Sequence, residues 1–419
     1  MRRRTMLIGG VSVLMLGGLA TCVFWPEDEA EQGLPVTLGF PRLIPPLVRA
    51  TIAGQDRVFM LVRRTETENN PNVPPGTGWR GERLEIRAYD AATLAPIFAA
   101  PVISGRTGGF RTAGLIGEQA ATIWLYGDAL GAVSAVDGQV FLGGEGFAAV
   151  TPQLGGAFNQ ARDTYRMEEA LVFAFLGARY RMDPRSFAAT PAPERDQGVM
   201  DAAFPPPARP ALFGAGGPAA FRVAEALLDD AWFGLPLASG RPNDGQPQGA
   251  ERRFLPASLQ PDTRGAPQRL WRAGIRRGMP PVAAESGSFQ SSGRGDPVAG
   301  DRLLLDRPTE VATTSATLQF AGFLTAGTAE PLRPAGAPGL LLLQQPTNAP
   351  PSLTRLGADG RALWTTMFGF PRLISVLPGE STLVLVGQRG SGTTEQDVIT
   401  SIALADGQAR ELVLNFGSG

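Results

Sequence analysis

Few side chains in this sequence could do acid–base, nucleophilic or metal chemistry, and the missing types say more than those present. There is no histidine, and all 38 basic residues are arginine. Imidazole catalysis, Ser-His-Asp and Cys-His nucleophile activation, Schiff-base lysines and the phosphate-binding lysine of a P-loop are therefore excluded. Cys22 is the only cysteine, which removes thiolate or imidazole metal sites, covalent c-type haem and any intramolecular disulfide. Carboxylates, arginines, tyrosines and hydroxyls remain. Paired carboxylates could hydrolyse a glycoside or hold Ca²⁺, but no Asp-x-Asp-x-Asp loop occurs. Glu168-Glu169 and Asp229-Asp230 are adjacent, and on a strand such neighbours point to opposite faces. Gly143-Gly144-Glu145-Gly146 and Gly214-Ala215-Gly216-Gly217 have no following lysine and no βαβ context, so they read as loops. No catalytic residue, cofactor or metal ligand is expected.

The elements that would position such groups come from a repeat. Gly39-Phe40-Pro41-Arg42-Leu43-Ile44 returns without a gap as Gly369-Phe370-Pro371-Arg372-Leu373-Ile374, each copy followed by an apolar run. Turns recur with it, at Asp90, Asp137-Gly138, Asp183, Asp359-Gly360 and Asp406-Gly407. Their separations are 137 − 90 = 47, 183 − 137 = 46 and 406 − 359 = 47, close to the length of a four-stranded propeller blade. Asp-Gly reverses a chain tightly between extended runs. Before each turn lies an apolar run such as Thr122–Tyr126, Leu171–Phe175 or Leu340–Leu343, read as a buried strand, and after it an outer strand such as Arg361–Thr366 or Gln408–Leu414. Many short strands with 53 Gly and 37 Pro in 419 residues fit an all-β chain. A β-propeller of four-stranded blades is expected, with seven blades, or eight as the alternative. No strand exchange between the termini is expected, so closure relies on blade-to-blade packing.

Three regions divide the chain. Residues 1–25 form a signal or anchor: Arg2-Arg3-Arg4 precede an uncharged run from Met6 to Trp25, long enough to span a bilayer and held with its N-terminus in the cytoplasm. Leu19-Ala20-Thr21-Cys22 resembles a lipobox, which makes Cys22 the lipid-attachment residue; an uncleaved anchor is the alternative. The start also loosely resembles a twin-arginine signal. Residues 26–38 form a linker. Residues 39–416 form the propeller, with Pro/Gly-rich insertions at about 191–215 and 235–300. Pro218 opens a segment to Leu228 that reads as a short amphipathic helix; a strand ending at Asp229-Asp230 would instead keep the period, since 230 − 183 = 47. Arg252, Arg253, Arg272, Arg276 and Arg277 read as a solvated basic face. A net charge of −1 gives no basic field for nucleic acid.

Ala88-Tyr89-Asp90-Ala91-Ala92-Thr93 with Phe98, and Ala358-Asp359-Gly360-Arg361-Ala362-Leu363-Trp364, resemble the repeats of quinoprotein-type (PQQ-like) propellers, whose pattern runs Ala-x-Asp-x-x-Thr-Gly and then an aromatic residue. Leu94 stands where that pattern has Gly. The resemblance extends to membrane-tethered bacterial envelope propellers, among them proteobacterial proteins of unassigned role. It implies the propeller fold; the further catalytic and metal-site residues of that group's cofactor-binding dehydrogenases have no counterpart in this sequence. The expected function is a non-catalytic, membrane-tethered periplasmic scaffold that binds a protein or envelope polymer. The alternative is a carboxylate-dependent hydrolase or lyase acting on a saccharide in the channel.

Overall fold

The computed structural model describes residues 36–68, 80–107, 109–192, 222–223, 225–229, 231–234, 251–252, 270–276, 303–305, 309–311, 318–325, 331–333, 339–346, 350–390 and 395–414. The anchor with Cys22, linker residues 26–35 and most of both insertions lie outside them, while residues 36–38 of the expected linker are a strand of sheet 1. The chain is all-β, built of six antiparallel sheets among the described residues, against the seven blades that the period predicts. Sheet 1 pairs Arg42–Ile52, Gln55–Glu68, Arg80–Asp90 and Pro96–Thr107, with Val36–Leu38 on the far half of the second strand. Sheet 2 is Ala113–Gln119, Thr122–Gly127, Leu130–Ser134 and Val140–Leu142; sheet 3 is Tyr165–Met167, Leu171–Phe175, Ala178–Met182 and Ala189–Pro191. Sheet 4 is centred on Glu225–Leu228, Ala231–Gly234 and Leu270–Arg276. Sheet 5 runs through Leu318–Leu324, Leu340–Pro346, Ser352–Leu356 and Ala362–Met367, with Arg222–Val223 on its inner side. Sheet 6 is Arg372–Pro378, Thr382–Arg389, Gln396–Ala403 and Ala409–Val413.

Continuous apolar runs become second strands because both of their faces are covered. In sheet 1, Phe59 and Leu61 pack on sheet 2, while the alternate Val58, Met60 and Val62 pack on sheet 6. In sheet 5, Leu340 and Leu342 face sheet 4, and Leu341 and Leu343 face sheet 6. Trp124 and Phe173 hold sheets 2 and 3 together. Sheets 1 and 2, 2 and 3, 4 and 5, and 5 and 6 are thus neighbours in space, and the last sheet packs on the first.

The two copies of the six-residue repeat begin the first strands of sheets 1 and 6. Leu43 is buried toward sheet 6 and Leu373 toward sheet 5, so each copy offers its leucine to the sheet before it. Both first strands carry a register shift just after that leucine, between Ile44 and Val48 and between Leu373 and Ser375. Sheets 2 and 5 carry the same device, at Leu115/Gly117 and Leu318/Phe320. A bulge there steepens the twist of the inner strand. Pro45 and Pro46, which have no N–H to give the ladder, sit in the sheet 1 bulge.

One turn joins third to fourth strand in sheets 1, 2, 3 and 6. Asp90, Ser134, Asp183 and Ala403 each donate N–H to the carbonyl five residues on (2.8–3.0 Å), and their own carbonyls accept from Leu94, Gly138, Phe187 and Gly407 (2.9 Å each). Those four residues share a left-handed φ of 57°, 80°, 56° and 76°. Leucine and phenylalanine are strained there, and packing offsets the strain: Phe187 lies edge-on to Trp124 at 6.0 Å. Asp90 and Asp183 therefore open the turn, whereas Asp137 and Asp406 stand three residues further on. Equivalent positions recur at 138 − 94 = 44 and 187 − 138 = 49, and the even spacing of the aspartates mixes two places in one turn.

The structure corrects two other readings. The segment preceding Asp229 is strand, with Ala226 and Leu228 buried at alternate positions and Asp229 at φ 52° in the hairpin to Ala231–Gly234. Gly144-Glu145-Gly146, read as part of a loop, open the helix Gly144–Val150, which with the two 3₁₀ turns after it fills the space between sheets 2 and 3 through Phe147, Leu154 and Phe158.

The residue just inside each turn presents its carbonyl to the preceding sheet. Arg57 of sheet 1 donates to Ala135 O of sheet 2 (3.0 Å), Thr122 of sheet 2 to Pro184 O of sheet 3 (3.5 Å), and Arg355 and Trp364 of sheet 5 to Leu404 O of sheet 6 (2.7 and 3.0 Å). Arg272 of sheet 4 donates to Ala358 O in the shorter sheet 5 turn (2.8 Å). Ser401 of sheet 6 completes the series on Ala91 O of sheet 1 (2.6 Å). Two further groups join sheets 6 and 1. Arg49 donates to Leu377 O (2.8 Å) and Thr382 O (2.9 Å), and the Leu43 amide donates to Asp397 Oδ2 (2.9 Å). Arg49→Met strands both carbonyls and is expected to cost about 1–3 kcal/mol in urea denaturation, whereas Arg361→Met, at a side chain 89% exposed, is expected to stay within about 0.5 kcal/mol.

Candidate functional site

Three buried carboxylates stand out among the described residues: Glu66, Glu85 and Asp397, between 4% and 6% exposed. Alternation along paired strands puts Glu66 and Glu85 on the face of sheet 1 that looks toward sheet 6, with Arg64, Arg83 and Arg87. Glu85 is contacted by Arg87 at 2.9 Å, Arg83 at 3.5 Å and Arg64 at 3.7 Å, and Arg83 also reaches Glu66 at 3.8 Å. Burial alone would lower Arg87, but its hydrogen bond to Glu85 holds the guanidinium above its ordinary value. Asp397 accepts from the Leu43 amide on one oxygen and from Gln388 Nε2 (2.8 Å) on the other. Each acid is a counter-ion or a backbone clasp. A glycosidase pair needs one carboxyl that can carry a proton and another facing the sugar, and the guanidinium of Arg83 stands between Glu66 and Glu85.

Of the adjacent acids read from the sequence, Asp230 lies outside the described residues. Glu168 ion-pairs with Arg179 at 2.5 Å while Glu169 is exposed, and Asp229 is an exposed turn residue. The turn aspartates cap backbone. Asp90 accepts from Ala92 N and Thr93 N, Asp183 from Arg185 N and Ser186 N, and Asp137, Asp359 and Asp406 each from the amide two residues on, at 2.7–3.2 Å. The tyrosines are also engaged: Tyr126 donates to Gln160 O (2.7 Å), Tyr165 donates to Ala157 O, and burial pushes the Tyr165 phenol up. Arg272, from the expected basic face, is a half-buried link to sheet 5 lying 6.0 Å over Phe233. Among the described residues no group of three or more acids or cysteines could hold a metal ion. No helix there is long and apolar enough to cross a membrane.

What the sequence does not announce is a pocket of about 330 Å³ between the outer strands of sheets 5 and 6. Pro350, Met367, Phe368 and Ala409 form its apolar wall, and Gly369, Thr400, Arg410 and Glu411 complete it. Thr400 lies between Val398 and Ile402 on the face of sheet 6 turned to sheet 5, is 1% exposed, and its Oγ1 has no hydrogen-bond partner among the described residues. Glu411 at the rim pairs with Arg389 at 2.8 Å. No sequence signal marks Thr400, which reads as one more residue of a buried strand. No family model matches the chain, and no curated protein matches it.

The capped aspartates set a pH dependence. Hydrogen bonds from Ser134 and Gln139 lower Asp137, and those from the Ser186 and Arg185 amides lower Asp183. At Asp90 burial acts upward, but the bonds from Thr93, Gln55 and Ala92 prevail and lower it. The folded state thus binds fewer protons than the unfolded chain, whose carboxyls titrate near about 3.9. The stability they lend is present above that value and lost as pH falls through the lower folded values. The melting midpoint is expected to drop between about pH 5 and pH 2, and Asp90→Asn, Asp137→Asn and Asp183→Asn combined are expected to flatten that fall.

Proposed function

We propose that the six sheets are blades of a β-propeller resembling the quinoprotein-type repeats, tethered to a membrane by the N-terminal segment and acting in the bacterial envelope as a non-catalytic binding or scaffold module. The observation that carries this reading is the commitment of the buried acids: Glu66 and Glu85 balance arginines, and Asp397 binds the Leu43 amide, so the acids serve packing. The ring reading is supported by the packing of sheet 6 on sheet 1 and by side-chain bonds into turn carbonyls at five sheet boundaries. Large apolar side chains at strand ends and in loops favour a partner surface, with Leu176 89% exposed, Met367 67% and Phe40 65%. The tether rests on Arg2–Arg4, the run from Met6 to Trp25, and Cys22 as the acylated residue. The periplasmic side follows from the arginines before that run.

The reading is tested with the full chain expressed in a Gram-negative host. The expected result is recovery in the membrane fraction, incorporation of labelled fatty acid that Cys22→Ala abolishes, and no release of reducing ends from cell-wall polymer or oligosaccharides by the detergent-purified protein. Release that Glu85→Gln removes, while urea denaturation still shows a folded protein, would establish the hydrolase instead.

A further inference from the structure

We propose that the pocket between sheets 5 and 6 binds a tyrosine side chain of an extended peptide, which deepens the binding-module reading and rests on it. The inference starts from Thr400. A hydroxyl that is almost wholly buried and has no partner among the described residues is a cost they leave uncorrected. Thr400 shares its sheet face with Val398 and Ile402, so it looks into the gap where the pocket lies. Around it the wall is apolar: Pro350, Phe368, Ala409 and, at the lip, Met367. One unpaired hydroxyl in such a wall complements a ligand group with a flat apolar body and one polar atom that both donates and accepts. A phenol has that composition.

The rest of the ligand follows from what borders the pocket. Ala409, Arg410 and Glu411 belong to the strand Ala409–Val413, which among the described residues pairs only on its inner side. Its outer edge offers backbone N–H and C=O groups beside the pocket, the arrangement that accepts an extended peptide as an added strand. At about 330 Å³ the pocket is at the small end of ligand sites and suits a single anchoring side chain. The Arg389–Glu411 pair over Gly369 and the exposed Arg410 place both signs of charge at the rim, where they meet peptide termini or flanking charged residues.

The test uses the full chain in detergent and two probes, Ac-Gly-Gly-Tyr-Gly-Gly-NH₂ and its phenylalanine counterpart, followed by saturation-transfer NMR and equilibrium dialysis. The tyrosine peptide is expected to bind saturably and at least about fivefold more tightly than the phenylalanine peptide, the size of one lost hydrogen bond. Thr400→Val, which keeps the shape, is expected to erase that difference, and Thr400→Ser to retain it; Leu176→Ala, away from the pocket, should change neither. Equal binding of the two peptides to the unaltered chain, or an unchanged ratio in Thr400→Val, would overturn the proposal. So would binding that appears only after residues 415–419 are removed, since the chain's own end would then be the occupant. None of these outcomes bears on whether the protein hydrolyses saccharides, so the pocket and the non-catalytic reading fail separately.

Discussion

Each described sheet boundary between consecutive sheets depends on a hydrogen bond into a turn carbonyl. The carbonyls of Ala91, Ala135, Pro184 and Leu404 occupy one position in one turn, and each receives a side-chain donor from the sheet before it. A turn at a sheet end leaves such oxygens partly buried, and a buried carbonyl without a donor costs more than the bond itself returns. Supplying the donor from the neighbour removes that cost and fixes the two sheets in register. Apolar packing is indifferent to small slides between sheets, whereas a directional bond at five boundaries is not. That the donor on Ala91 comes from Ser401, more than three hundred residues away, is what lets the proposed ring close without a disulfide and without strand exchange between sheets 1 and 6.

Arginine dominates these contacts for a physical reason. A guanidinium has five donors on a long stem, so one side chain can cross a sheet boundary and satisfy several carbonyls while its methylenes lie along the apolar interface. Arg49 and Arg57 each reach two carbonyls across a boundary, and Arg272 and Arg355 reach one each. In a chain without lysine, arginine also balances the buried acids, and Glu85 between Arg64, Arg83 and Arg87 shows the result. Such a lattice ties neighbouring strands of sheet 1 together on the face turned to sheet 6.

The sequence exposes those features of the fold that depend on local chemistry. Thr122–Tyr126 and Leu340–Leu343 read as doubly covered strands because nothing polar interrupts them, and Asp90, Asp137, Asp183, Asp359 and Asp406 mark turns because Asp holds its own backbone. The exact phase is hidden where different residues fill one role. Leu94 and Phe187 occupy the left-handed position that Gly138 and Gly407 fill elsewhere, so aligning on Asp sets Asp90 against Asp137 three places out of step. The helix Gly144–Val150 is masked by its two glycines, which have low helix propensity, and forms because Phe147 is buried against Trp124 at 5.9 Å between ring centres. The inter-sheet donors are Arg, Thr, Ser and Trp, a set with no common pattern, and Thr400 owes its interest to a neighbouring sheet rather than to any motif.

The two repeat copies show how one segment can serve two ends. Gly39–Ile44 and Gly369–Ile374 keep the same leucine toward the preceding sheet, yet Phe370 is fully buried with Phe368 at 4.9 Å while Phe40 is two-thirds exposed. The difference lies in what comes before: the chain enters sheet 6 directly from the outer strand of sheet 5, whose Trp364 joins the same cluster, whereas sheet 1 is entered from Val36–Leu38, which folds back on Glu66–Glu68. At sheet 1 the closing contact is therefore polar, Leu43 N–H to Asp397, and at sheet 6 it is aromatic. The outer gap between sheets 5 and 6, roofed by that aromatic linker, is left as the pocket, whose position follows from ordinary chain continuity at the one boundary where the repeat is entered from its predecessor.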